Sequence, residues 1–372
     1  MRYFRLVTVI VATLVSLVQA DLNLRDPTSI ALSSTRCTAP NRATGVTKDI
    51  EIKYFEVNPK AERTLLLVHG WPALWHIWRL QIEVLKDDYH IIAVNQRGFG
   101  GSEHPGDLKT SSTMADLVGD LACVLADAKV EKALCIGHDW GAQVCNEAAR
   151  QRPDIFDGVI GTAIPYVPYS GPHVPVSSLV HMLPKLAYNV FFQHNTTNAI
   201  QELNRDVRRT LRGTLRTVDS PPPDEFLKQT DSFLRGWDAV EEIPSIPFFT
   251  AEEEEYWVDQ FSTYGFNYTL GFYTSGHASW TFAQTQGNHT IPQPALSILP
   301  TNDPVANWVE AARIMKSESH FLHLTTKTVE AAHWLNIEKA DEVNAIMREW
   351  LDEYYPPVST EKERKTFPKD EL

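Results

Sequence analysis

The sequence predicts an α/β fold: a mostly parallel, doubly wound sheet with a helical cap inserted into it. Three observations predict this. In the first half of the chain, short apolar runs ending at glycine alternate with stretches of helical spacing. That alternation stops near Tyr166 and resumes after residue 290. Between them stands "CIGHDWGAQVC", a strand, a tight turn flanked by glycines, and a helix, with Asp139 at the tip.

The elements follow in chain order. After a loose Thr- and Ser-rich stretch, "DIEIKYFEV" alternates like an antiparallel strand. "TLLLVHG" reads as a buried parallel strand, and "HIIAVNQRGFGGS" as another that runs into a glycine-rich loop. "TSSTMADLVGDLACVLADAKV" has helical spacing behind a Ser or Thr cap. "ALCIGHDWG" and "DGVIGTAIP" are the next two strands. The segment that follows holds proline-rich breaks and helices. One helix opens at Thr250 with Glu253 three residues on, a capping box, so the acids of "TAEEEEYWVDQF" read as a helix start. Strands return at "PALSILP" and "HFLHLTT", and "KADEVNAIMREWLDEYY" closes the fold as an amphipathic helix. The predicted organisation is a signal peptide over 1–20, core over 21–165, helical cap over 166–290, core again over 291–356, and a charged tail over 357–372.

The two ends read as addresses. "MRYFRLVTVIVATLVSLVQA" has two arginines, a short apolar run and small residues at cleavage spacing, the pattern of a secretory signal peptide. The last four residues, Lys369 to Leu372, spell the ER-retention signal read by a KDEL-type retrieval receptor. Together they predict the endoplasmic reticulum lumen, with no stable membrane insertion. Sequons place candidate glycans at Asn195, Asn267 and Asn288. That compartment lets the four cysteines pair, though Cys123, Cys135 and Cys145 read first as small buried apolar residues. The formal net charge of -13 argues against nucleic acid as a partner. The sequence leaves a homo-oligomer open, and its Cys and His residues lack metal-ligand spacing.

The chemistry lies in three segments. Gly137 and Gly141 flank Asp139 as the glycines of a nucleophile elbow flank its serine. Asp303 follows "PALSILP", and His333 in "EAAHWLN" follows "HFLHLTT", so nucleophile, acid and histidine come in α/β-hydrolase order. "HGWP", His69 to Pro72, ends the first parallel strand and places the N–H groups of Trp71 and Trp140 as a candidate oxyanion hole. A carboxylate is ionised at neutral pH and needs no base to attack an sp3 carbon. His333 would then activate water against the resulting ester, oriented by Asp303. This logic selects epoxide opening or halide displacement. Ester hydrolysis would put serine at position 139.

The segments "HGWPALWHIWRLQI", "GHDWG", "GFNYTLGFY", "LSILPTNDPV" and "AAHWLNIEKADEVN", in this order from about Tyr54 to Tyr354, resemble the soluble-type epoxide hydrolases of the α/β-hydrolase fold. The resemblance implies hydrolysis of a small apolar epoxide by water to a vicinal diol, without a cofactor or metal. It also implies two cap tyrosines that donate to the epoxide oxygen, at Tyr188 in "LAYNVFFQ" and Tyr273 in "GFNYTLGFY". Phe272 stands where family members often carry tryptophan, and Asn95 where an acid often opens the loop. A haloalkane dehalogenase would share Asp139 and could hold halide with Trp140 and Trp71, but has no use for two phenols. A silent ligand-binding homologue would not need the complete set.

Overall fold

The computed structural model describes residues 22–358; the predicted signal peptide and the retention signal lie outside them. Eight strands form one sheet in the order β1-β2-β4-β3-β5-β6-β7-β8. They are β1 (Ser33–Asn41), β2 (Val46–Val57), β3 (Thr64–Val68), β4 (His90–Val94), β5 (Ala133–His138), β6 (Phe156–Thr162), β7 (Ile291–Pro300) and β8 (Phe321–Val329). β1 and β2 pair antiparallel, as do β2 and β4; the pairs from β4 through β8 are parallel. Residues of β3, β4 and β5 are buried throughout, which is why they read as unbroken apolar runs.

α1 (Arg79–Leu85), α2 (Met114–Asp127) and α3 (Trp140–Gln151) belong to the first core segment. Among described residues 163–290 there is no strand; the chain runs through α4 (Ala187–His194), α5 (Thr196–Arg205), α6 (Val207–Thr214), α7 (Ala251–Tyr264), α8 (Gly271–Thr274) and α9 (Gly276–Gln286). α10 (Trp308–Met315), α11 (Leu335–Glu338) and α12 (Ala340–Tyr354) complete the core. Capping boxes close the N-termini of α2, at Thr113 and Asp116, and of α7, at Thr250 and Glu253. No described helix is long and apolar enough to cross a membrane.

The acids that start α7 also fasten the cap to the core. Glu253 reaches Arg79 at 2.6 Å, with both side chains buried. Beside this pair, the Trp257 indole donates to His76 Nδ1 at 3.2 Å, and the Trp75 indole donates to the Tyr256 hydroxyl at 3.1 Å. Buried charges need such partners, because an unpaired one loses its hydration without compensation.

Two expectations are corrected. The Thr- and Ser-rich stretch is not loose throughout: Ser33–Asn41 is β1, in register with β2 from Ser33 opposite Tyr54 to Asn41 opposite Val46. The cysteines are paired, Cys37 with Cys123 and Cys135 with Cys145, and none is free. Cys135 and Cys145 are fully buried, as an apolar reading requires, but they face each other across the elbow. The Cys37–Cys123 bond ties β1 to α2 over a separation of 86 residues. Closing so long a loop restricts the unfolded chain, so Cys123→Ala is expected to lower the unfolding free energy by about 2–4 kcal/mol in urea titrations under oxidising conditions. A variant as stable as the parent would sink that reading.

Candidate active site

The site gathers at the carboxyl ends of the parallel strands, where open α/β sheets place their ligands. β5 ends at His138, and the chain reverses through Asp139 into α3. Asp139 has φ 54°, a left-handed conformation that a residue with a Cβ adopts only under constraint. Its N–H donates to the Thr162 carbonyl at 3.0 Å, and its own carbonyl accepts from Ala142 N–H at 2.8 Å. The flanking glycines make room for this turn. A Cβ on Gly137 would overlap the Gly141 carbonyl, and one on Gly141 would overlap the Val68 carbonyl. Pairing of Val68 with Gly137 brings the end of β3 alongside the elbow.

From that strand end, the Trp71 N–H donates to Asp139 Oδ1 at 2.9 Å. Gly70 allows it: a Cβ there would overlap that same oxygen. Trp140, the other predicted donor, opens α3, where the first amides have no partner within the helix. The remaining oxygen, Asp139 Oδ2, lies 3.5 Å from His333 Nε2. His333 Nδ1 bonds Asp303 Oδ2 at 2.7 Å. Asp303, whose side chain is fully enclosed, also accepts from the Val305 N–H at 2.8 Å and from the Trp308 indole at 2.7 Å. The three predicted residues Asp139, His333 and Asp303 are therefore one connected array.

Electrostatics follow from this arrangement. Burial disfavours the charged imidazole of His333, but the Asp303 charge, hydrogen bonds to Asp139 and Asp303, and the Asp139 charge outweigh it and hold the group up at about 10. Burial would raise the Asp139 carboxyl; the hydrogen bond and charge of His333, with the Trp71 N–H, hold it below its ordinary value. The free site thus carries an imidazolium between two carboxylates.

Tyr188 on α4 and Tyr273 on α8 both line the cavity that holds Asp139 and His333. Their ring centroids are 5.7 Å apart, edge to face. Burial and the Asp139 charge raise the Tyr188 phenol; burial, then Tyr188 and Asp139, raise Tyr273 well above the usual phenol range. Both stay protonated and able to donate. The cavity, about 50 Å³, is narrow and otherwise mainly apolar, with Phe226, Leu227, Phe233, Val305 and Trp334 among its walls. Phe272 stacks on Trp140 beside the elbow, planes 2° apart. Gln96 bonds His69 through both its backbone N–H and its side chain, and so braces the strand end that carries Trp71.

Two residues escaped the sequence reading. His138 Nε2 donates to the His333 carbonyl at 2.9 Å, and its ring stacks against Trp334. Burial first, then the neighbouring His333, pushes His138 down to about 4, so it serves as a neutral brace. Trp308 is the other, through Asp303. Only the position of His138 beside the elbow could have signalled its role.

A raised imidazole contributes stability that is fully present below its unfolded pKa of about 6.5 and is lost as pH rises through about 10. The stability difference between the parent and His333→Gln should therefore shrink between pH 6.5 and 10. Chemical denaturation across that range checks it; a constant difference would contradict the charged array.

Comparison with known proteins bears on the family. Residues 63–340 match the model of the alpha/beta hydrolase fold family. Epoxide hydrolase A of Mycobacterium tuberculosis is 30% identical over 84% of this chain and 98% of its own length. Bifunctional epoxide hydrolase 2 of Rattus norvegicus is 29% identical over 77% of this chain but only 51% of its own length. The crystal structure of Epoxide Hydrolase A from Mycobacterium thermoresistibile superimposes with a TM-score of 0.73 at 28% identity, covering 88% of this chain and all of that one. With the elbow aspartate, the fold and these likenesses together, the chain belongs to the α/β-hydrolase-fold family and, within it, to the epoxide hydrolases.

Proposed function

We propose that the chain hydrolyses a small apolar epoxide to a vicinal diol through an ester on Asp139. The observation that carries the mechanism is the single cavity lined by Asp139, His333, Tyr188 and Tyr273. Asp139 Oδ2 attacks one epoxide carbon and the C–O bond breaks. The departing oxygen would be an alkoxide, a poor leaving group, so the two phenols opposite the carboxylate supply hydrogen bonds and a proton. Asp139 Oδ1, already on the Trp71 N–H, becomes the ester carbonyl oxygen.

Ester formation removes the Asp139 charge. His333 loses one of the two carboxylates that hold it protonated, and its pKa falls. The proton it releases balances the one taken up by the alkoxide. Neutral His333 then deprotonates a water that attacks the ester carbonyl carbon. The negative charge gathers on Oδ1, where the Trp71 N–H, and in this proposal the Trp140 N–H, stabilise it. The bond from the carbonyl carbon to Oδ2 breaks, and the diol leaves with a proton from His333. The oxygen of water stays on Asp139.

A single turnover in 18O-water tests the scheme: the label should enter the Asp139 carboxylate and not the diol. His333→Gln should accumulate the alkyl-enzyme, read as a mass increase equal to the epoxide. Tyr273→Phe should slow alkylation by about 10²-fold or more while sparing ester hydrolysis. Label in the diol would overturn the ester route. Release of halide from chloroalkanes without diol from epoxides would transfer the site to the dehalogenase reading.

We also propose that the protein resides in the ER lumen, with an N-terminal signal peptide, a C-terminal KDEL address and glycans. Support comes from exposure of Asn195, Asn267 and Asn288 and from two disulfides, which suit an oxidising compartment. Protein from a secretory-pathway host should lose apparent mass on treatment with a glycosidase specific for high-mannose chains. Unchanged mobility would count against glycosylation at these sites.

A further inference from the structure

Asp303 orients His333, and the oxygen that does so serves two donors. Oδ2 accepts from His333 Nδ1 at 2.7 Å and from the Trp308 indole Nε1–H at 2.7 Å. Oδ1 is taken by the Val305 N–H at 2.8 Å. The carboxylate is thereby fixed at both ends, with its side chain fully enclosed. Trp308 is the first residue of α10, whose N-cap is Asn307. None of α10's residues is fully buried, and a cavity of about 550 Å³ separates its Val309, Ala312 and Arg313 from β6, β7 and β8. Trp308 itself packs against the core. The indole thus ties the start of α10 to the site.

We infer that Trp308 is a positioning residue for water activation, holding Asp303 in line with His333 through the hydrogen bond from its indole to Oδ2. This rests on the proposed two-step reaction. It separates the steps, because Asp303 acts on His333, and His333 works as a base only after alkylation. The indole also draws negative charge from Oδ2. Without it, Oδ2 becomes a stronger acceptor for the Nδ1–H, and the imidazolium is favoured for longer as pH rises. The groups facing His333 are Asp139 and His138 from the elbow and β5, Asp303 from the loop after β7, and Tyr188, Tyr273 and Arg216 from the cap. Glu338 of α11 bonds the neighbouring Ala332 N–H. Of these, Asp139 is neutralised on alkylation, which leaves Asp303 as the carboxylate bonded to the ring.

The test is Trp308→Phe, which keeps a ring and removes the donor. Rapid-quench single turnovers with styrene oxide should show alkylation within about twofold of the parent and ester hydrolysis slower on the order of tenfold. The alkyl-enzyme should accumulate in the steady state. The lower limb of the hydrolysis pH profile should move up by roughly half to one unit. Equal slowing of both steps, or an unmoved limb, overturns the inference. A readout that does not depend on the variant's folding is the indole N–H spectrum of the parent enzyme. One indole proton should lie downfield and shift when the enzyme is trapped as the ester; absence of any responding indole proton also overturns it. The two readings fail separately: a parent that forms no diol refutes the reaction, while a parent that forms diol beside an unaffected variant refutes only the role of Trp308.

Discussion

The structure depends on the close approach of the β3 end to the turn after β5. Val68, His69 and Gly70 run against Gly137 to Gly141 with no space for a single extra Cβ at Gly70, Gly137 or Gly141. This proximity forces Asp139 to φ 54°, at a strain on the order of 1–3 kcal/mol. Hydrogen bonds from Asp139 N–H to Thr162 and from Ala142 N–H to Asp139 over-determine the turn. The same proximity delivers the Trp71 N–H to Oδ1. An exposed carboxylate would be hydrated and mobile; here it is nearly dry, oriented, and still ionised because its neighbours outweigh the burial.

Much of this was legible because strong local signals coincide with the fold. β3, β4 and β5 are buried on both faces, so their apolar runs announced them. Thr250 with Glu253 fixed the start of α7 through a purely local bonding pattern. Asp139, Asp303 and His333 stood at strand ends in a recognisable order. β1 was not legible, because Ser33–Asn41 is an edge strand with small and polar residues; its register comes from β2. Cysteine pairing was equally out of reach, since connectivity is a property of the folded chain. His138 and Trp308 show a third limit. Each acts through one ring nitrogen, His138 on a backbone carbonyl 195 residues away, and no pattern of residue types encodes that contact.

The cap adds what the sheet cannot. α7 is fixed to the core by the Arg79–Glu253 pair and by the indoles of Trp75 and Trp257, while α4 and α8 carry Tyr188 and Tyr273 over the elbow. A further tie runs from the Trp71 indole to the Thr269 hydroxyl at 3.1 Å, four residues before Tyr273. One residue therefore reaches both layers: its backbone holds the carboxylate and its side chain holds the cap. Separation of cap from core would disturb nucleophile and phenols together.

An imidazole held up at about 10 looks ill suited to be a base at neutral pH. The proposed ester removes the difficulty. In the free site the His333 imidazolium offsets one of two carboxylate charges, which helps keep Asp139 ionised and leaves the buried array with one net negative charge. Once Asp139 is esterified, half of that opposing charge is gone, and burial, the one effect that always disfavoured the charged ring, meets less resistance. The histidine would become basic only when there is an ester to cleave. Asp303 must stay ionised and in place through this change, or the ring would lose its orientation along with its charge. That requirement explains why its carboxylate is held by a backbone N–H and an indole as well as by the histidine it serves.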